Sequence, residues 1–193
     1  SNSGLCIIEP KVLQLMQEEK FVFETYLYPR ILQSGFKMMG YNTDEFMADM
    51  GTPERLKKCE RHVYSKMKVL VTGAGGMMGS HMLDFLIEKG VQILGTYYMQ
   101  TVNLNELRKD VPIVRLDIRD YRAVHRLIRE FKPDRIYHLA AQSYPTVSWK
   151  DPQVTMDTNV NGTINLFEAV KDVGLDPVIM VACSSAEYGF VTE

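Results

Sequence analysis

The stretch that most constrains this chain is "MKVLVTGAGGMMGSHML", residues 67–83. "MKVLVTG" is apolar enough for a buried strand, and "GSHMLDFLIEKG" reads as a helix closed by Gly90. Between them stands Thr72-Gly73-x-x-Gly76-x-x-Gly79. In a strand–turn–helix of this kind Gly73 permits the tight turn, Gly76 lets the backbone approach a diphosphate, and Gly79 lets the helix pack closely on the sheet. The helix amides that follow then face the phosphates. With both flanking elements present, dinucleotide binding is favoured over an ordinary structural turn.

The pattern continues downstream as strand, helix, strand. "VQILGTYY" is a second strand, "VPIVRLDI" a third, "YRAVHRLIREF" a helix with one apolar stripe, and "DRIYHLAA" a fourth strand. A long helix from about Thr155 to Asp172 and a fifth strand, "PVIMVACSS", follow. Strands that are continuously apolar and separated by helices imply a parallel sheet covered on both faces, a doubly wound α/β domain over 67–193. Residues 1–66 lack this alternation. "GLCIIEP" reads as a strand, "PKVLQLMQ" and "VFETYLYPRILQSG" as short helices, and "FKMMGYNTDEFMADMG" as one or two strands turning at "YNTD". Thr52 and Pro53 then suit the cap and first position of a helix. So small a segment buries little surface, and it is expected to be the tail of a larger domain.

Twenty-two basic and twenty-four acidic residues give a net charge of −2, so nothing points to nucleic acid or an anionic membrane as a partner. Cys6, Cys59 and Cys183 are too widely spaced for a zinc site and are expected as reduced, largely buried thiols in a cytoplasmic protein. No signal peptide and no membrane-length apolar run is seen.

The acid expected at the end of the second strand to hold a ribose is missing, because "ILGTYYMQ" offers Gly95, Thr96, Tyr97 and Tyr98. No arginine stands in that stretch for a 2′-phosphate, so NAD and NADP both remain open. Asp117 is placed to meet the adenine end of the cofactor, while the plainer reading is that Asp117 or Asp120 caps the next helix.

"TGAGGMMGSH", "LDIRD", "YHLAAQSY", "DTNVNGTINLFEAV" and "ACSSAEYG", in this order, resemble the extended short-chain dehydrogenase/reductase family in its sugar-nucleotide branch. "HLAAQSYPTVSWKDPQVTMDTNVNGT" most resembles GDP-mannose 4,6-dehydratases and GDP-4-keto-6-deoxymannose reductases. The resemblance implies a Rossmann-type doubly wound parallel sheet, incomplete at its C-terminal end, in an enzyme that moves hydride between a nicotinamide and C4 of a nucleotide-linked hexose. It implies that Thr72, Gly73, Gly76, Met77, Met78 and Gly79 hold the diphosphate, and that Asp117 and Ile118 meet the adenine side. His138, Ala140, Ala141 and Gln142 would line the cofactor, and Asn159 would hold the geometry nearby. Ser143, Tyr144 and Ser185 would face substrate or nicotinamide, and Ser184 would be the catalytic hydroxyl that bonds the sugar O4. Structural alternatives are that His138 is a satisfied core histidine, that Ser185 ends a strand, and that Trp149 and Phe167 serve packing.

The family's Tyr-x-x-x-Lys pair belongs to the helix after the fifth strand, beyond Glu193, so this length of chain alone is expected to be inactive. Dehydratases of the branch carry an acid two residues after the catalytic Ser/Thr. Ala186 stands there, with Glu187 one place late, which leans the expectation toward a reductase or epimerase. A homodimer or higher homo-oligomer is common in the family.

"SNSGLCIIEPKVLQLM", "FETYLYPRIL" and "FMADMGTPERLKKCERHV" resemble the C-terminal part of sugar-1-phosphate nucleotidyltransferases of the mannose-1-phosphate guanylyltransferase type. That resemblance implies a magnesium ligand at Asp49, here a remnant of a fuller site, and sugar neighbours at Asn2 and Glu24. The two resemblances together imply a two-enzyme polypeptide with its junction near residue 66. Rival readings are a non-catalytic dinucleotide-binding module and a nucleotidyltransferase with a Rossmann appendage.

Overall fold

The computed structural model describes residues 6–99, 111–184 and 188–189. The chain forms two compact units, Ser1–Leu56 and Lys57–Glu193, which divide within a helix, α2 (Pro53–Lys66), rather than at its end.

The second unit is a five-stranded parallel sheet. In chain order its elements are β1 (Lys68–Thr72), α3 (Met77–Lys89), β2 (Gln92–Tyr97), β3 (Ile113–Arg115), α4 (Tyr121–Phe131), β4 (Arg135–His138), α5 (Pro145–Lys150), α6 (Pro152–Met156), a π-helical turn (Asp157–Asn161), α7 (Gly162–Val173) and β5 (Val178–Val181). The strand order is β3-β2-β1-β4-β5, so β1 is central and the chain crosses over to its other side between β3 and β4. Leu70 pairs in register with Leu94 on one side and Ile136 on the other.

The period of two along β1 divides the core. Leu70 joins Ile136, Val124, Ile128, Leu166 and Ala169 beneath α4 and α7, whereas Val69 and Val71 pack with Leu83, Leu86 and Ile93 beneath α3. Both faces are therefore covered, which is why β1 reads as an unbroken apolar run. Gly162 makes one of these contacts possible, because a Cβ on it would lie 2.6 Å from Ile118 Cγ2. Asp120, not Asp117, caps α4, accepting from the Ala123 amide at 3.1 Å.

Several expectations need correction. The third strand has only three residues and ends before Asp117. The long helix starts at Pro152 and is interrupted by the π turn. Cys6 and Cys183 are exposed and Cys59 is half-buried, so the thiols are free but not core residues.

In the first unit, Pro10–Leu15 forms a 3₁₀ helix, Phe23–Leu27 a π turn and α1 spans Tyr28–Gln33. The expected strands at 4–10 and 36–51 are not formed among the described residues. With no partner strand to take up its backbone groups, an isolated extended segment gains no ladder, and Met39 and Tyr41 stand 90% exposed. Thr52 does behave as expected, accepting from the Arg55 amide at 3.3 Å. Val12, Leu27 and Ile31 form a small core of their own.

Leu166 is fully buried in the larger core, so Leu166→Ala should lower the unfolding free energy by about 3 kcal/mol in urea titration. Met39→Ala, at an exposed position, should change it by less than about 0.5 kcal/mol.

Candidate functional site

The sequence-predicted residues Thr72 to Gly79, His138 to Tyr144 and Ser184 lie at or after the C-terminal ends of β1, β4 and β5, beside the point where the strand order reverses, whereas Asp117 and Ile118 follow β3. In open parallel sheets this crevice is where ligands bind.

β1 delivers Thr72 into the turn, and Gly73 adopts φ +73°, a left-handed conformation. A Cβ on Gly73 would lie 2.7 Å from Leu139 C, Leu139 O and Ala140 N, so the turn presses directly on the chain leaving β4. A Cβ on Gly79 would lie 2.2 Å from Gly73 O, which fixes the first turn of α3 against the end of β1. The turn is also tied to β2, because the Ala74 amide donates to Thr96 O at 2.7 Å. Gly76 is the N-cap of α3, in extended conformation (φ −94°, ψ 169°), and no side chain caps the helix. The first-turn amides, from Met77 to Gly79, are among those a helix leaves without an intrahelical partner, which suits an anion; the Met77 and Met78 side chains are well exposed and Gly79 is buried. An uncapped helix start behind a backbone too crowded for any Cβ fits the diphosphate of a dinucleotide.

Behind the turn lies His138, 3% exposed, with Nδ1 2.7 Å from Thr72 Oγ1 and Nε2 3.0 Å from Thr163 Oγ1. Both ring nitrogens are engaged in hydrogen bonds within the protein. Burial pushes it down to about 4. Ala140 is half-buried and Ala141 exposed along the loop after β4. Gln142 is held from both sides by Asn159. Its amide donates to Asn159 Oδ1 at 2.7 Å, and its carbonyl accepts from Asn159 Nδ2 at 3.0 Å. The Gln142 side chain shapes the same loop, donating to Tyr144 O at 2.9 Å and accepting from the Tyr144 amide at 2.7 Å. Ser143 and Tyr144 are exposed at its rim, as is Ser184 just past β5. Ser185, Ala186 and Glu187 lie outside the described residues.

At the far end, Asp117 is paired twice over by Arg119, with Nε donating at 2.9 Å and a terminal nitrogen at 2.7 Å. The hydrogen-bonded guanidinium holds the Asp117 carboxyl below the usual range, and the carboxylate in turn keeps Arg119 charged. Arg119 and Arg115 stand 5.2 and 5.7 Å from the Tyr98 ring centre, at the end of β2. The sequence stretch 93–100 has no arginine, yet the fold brings two to its end, Arg115 from the last position of β3 and Arg119 from just after it. Ile118 is buried in the core, and its carbonyl accepts from Asn165 Nδ2 at 3.1 Å. Trp149, expected to pack, is 88% exposed. Thr163, Arg119 and Asn165 are the site-building residues that sequence reasoning missed. They lie within the stretches "LDIRD" and "DTNVNGTINLFEAV".

In the first unit, Asp49 is occupied by the Arg55 guanidinium and by the Gly51 amide at 2.7 Å. Glu24 lines a shallow pocket with Cys6, Phe21, Phe23 and Tyr28. Asn2 lies outside the described residues. Among the described residues no cluster of three or more His, Cys, Asp or Glu could hold a metal, and no helix is long and apolar enough to cross a membrane.

The family model for GDP-mannose 4,6-dehydratase matches residues 70–193. The chain belongs to the GDP-mannose 4,6-dehydratase family. Relatives of this family member include a GDP-mannose 4,6-dehydratase of Yersinia enterocolitica, 35% identical over 65% of this chain and 37% of that protein. A CDP-paratose 2-epimerase of Salmonella typhi is 33% identical over 64% of this chain and 38% of its own length. Among solved structures, the Thermus thermophilus UDP-glucose 4-epimerase in complex with NAD superposes with a TM-score of 0.60 at 36% identity, covering 66% of this chain and 41% of that one. The chain thus spans about two fifths of the length of these dehydratases and epimerases.

Unfolded His138 takes up a proton near pH 6.5, while the folded ring resists protonation to about 4. Its contribution to stability is therefore complete above pH 6.5 and falls away as pH drops from 6.5 toward 4, by up to about 3 kcal/mol. Urea midpoints measured across that window should fall for the wild type and flatten in His138→Asn.

Proposed function

We propose that this chain carries the dinucleotide-binding part of an enzyme that exchanges hydride between a nicotinamide and C4 of a nucleotide-linked hexose. The observation that carries this reading is the uncapped start of α3 behind the crowded Gly73–Gly79 turn, at the crevice where the strand order reverses. Family membership and relatives named as nucleotide-sugar dehydratases and epimerases support the substrate class. A solved neighbour that holds NAD supports NAD as the dinucleotide. The bound nicotinamide supplies or accepts hydride. The chain's own residues do the rest: Met77, Met78 and Gly79 amides hold the diphosphate, the loop from Ala140 to Gln142 forms the wall beside the nicotinamide ribose, and Ser184 orients the sugar O4.

The position two residues after Ser184 is Ala186, which favours reduction or epimerisation. The 4,6-dehydratase reading rests on the family match, and the two differ in product: only a dehydratase releases a 4-keto-6-deoxy sugar with loss of water. GDP-hexose is the favoured substrate on the same match. Residues 1–66 are read as a nucleotidyltransferase-like tail joined to this domain, with Asp49 as a magnesium remnant and magnesium needed only by a complete transferase. An exposed apolar stripe of Met156, Val160, Ile164 and Phe167 along the helical run supports self-association.

Fluorescence titration of the chain with NADH and NADPH, with and without GDP-mannose or UDP-glucose, tests the reading. Saturable binding, tighter for NADH and weakened in Gly79→Ala beyond any loss of fold, is expected. Failure of both dinucleotides to bind a folded chain overturns it.

A further inference from the structure

A buried hydrogen-bond chain behind the glycine turn has its proton direction fixed by geometry. Thr72 Oγ1 accepts from the Leu139 and Ala140 amides, each at 3.2 Å, the Leu139 amide being shared with Thr72 O at 3.1 Å. A hydroxyl has two lone pairs and one proton. With the lone pairs directed at two amides, the Thr72 proton points to the remaining neighbour, His138 Nδ1 at 2.7 Å. Nδ1 is then the bare nitrogen, and the ring proton sits on Nε2, 3.0 Å from Thr163 Oγ1. Thr163 accepts it and passes its own proton to the Asn159 carbonyl at 2.7 Å. The opposite tautomer would set two protons against each other between Thr72 and His138. No buried side-chain nitrogen or oxygen among the described residues lacks a partner.

The chain of bonds joins three elements. Thr72 immediately precedes Gly73, His138 ends β4, and Thr163 with Asn159 belongs to the π turn and start of α7. Asn159 in turn fixes Gln142 by two bonds to its backbone. We propose that His138, locked as the Nε2–H tautomer between Thr72 and Thr163, is a positioning residue that sets the distance between the glycine turn and the Ala140–Gln142 wall of the dinucleotide site. This rests on the reading of that crevice as a dinucleotide site. It gives the buried histidine a role without contact: the ring holds the two walls in register before a ligand arrives, which spares the ordering cost of binding.

Two measurements test it. Long-range ¹H–¹⁵N NMR of the labelled chain at pH 7 should show His138 Nδ1 bare and Nε2 protonated, without any cofactor. An Nδ1–H tautomer or an imidazolium overturns the proposal. In the second, Thr163→Val should weaken NADH binding by about tenfold by leaving Nε2–H buried without an acceptor, and Thr163→Ser should restore it to within about twofold. Val124→Ala, a destabilising core change away from the chain of bonds, should leave the NADH Kd unchanged. Wild-type affinity in a folded Thr163→Val overturns the positioning role, as does an equal loss in Val124→Ala. If Thr163→Val does not fold, His138→Leu, which offers neither a donor to Thr163 nor an acceptor to Thr72, takes its place with the same expected loss. A wild-type chain that shows the expected tautomer but binds no dinucleotide overturns the functional reading instead.

Discussion

The contact between Gly73 and the backbone leaving β4 is the constraint on which the site depends. Three backbone atoms of Leu139 and Ala140 lie where a Cβ on Gly73 would be, at 2.7 Å, and Gly73 O lies where a Cβ on Gly79 would be, at 2.2 Å. A single methyl at either place would separate β1 from β4 or lift α3 from the sheet. That separation would also pull apart the Thr72–His138 bond, since Thr72 adjoins Gly73 and His138 adjoins Leu139. Sheet, helix start and loop are thus one unit. The start of α3 is held by the packing behind it rather than by any side-chain cap.

Function follows from what this unit leaves available. Apolar packing takes up both faces of the sheet, so polar groups concentrate at the strand ends, where backbone amides and the rim residues Ser143, Tyr144 and Ser184 are accessible. A chain of net charge −2 has no general attraction for phosphate, and a dianionic ligand must be held by local dipoles. The GDP-mannose 4,6-dehydratase family, to which residues 70–193 belong, is consistent with that solution.

Much of the sheet domain was legible because its signals are local. The apolar run of β1, the glycine spacing, and the stripe of Val124 and Ile128 on α4 each lie within one element. Side-chain bonds between elements were not: His138 pairs with Thr72 across 66 positions and with Thr163 across 25. The choice between Asp117 and Asp120 as the α4 cap was likewise left open by spacing and is settled by Arg119, which occupies Asp117 and leaves Asp120 to the helix. In the first unit, apolar residues around 36–50 looked like strands because a pattern of side chains does not reveal whether a partner strand exists. Candidate site residues divide the same way. The glycine turn was readable from its spacing, whereas Gln142 and Asn159 prove to be each other's partners.

The most direct measurement is a crystal structure of the chain grown with NAD. The account predicts the diphosphate against the amides of Met77, Met78 and Gly79, with the adenosine toward Tyr98 at the end of β2 and His138 unmoved between Thr72 and Thr163. A dinucleotide bound elsewhere, with the Gly73–Gly79 turn making no contact to phosphate, would contradict it.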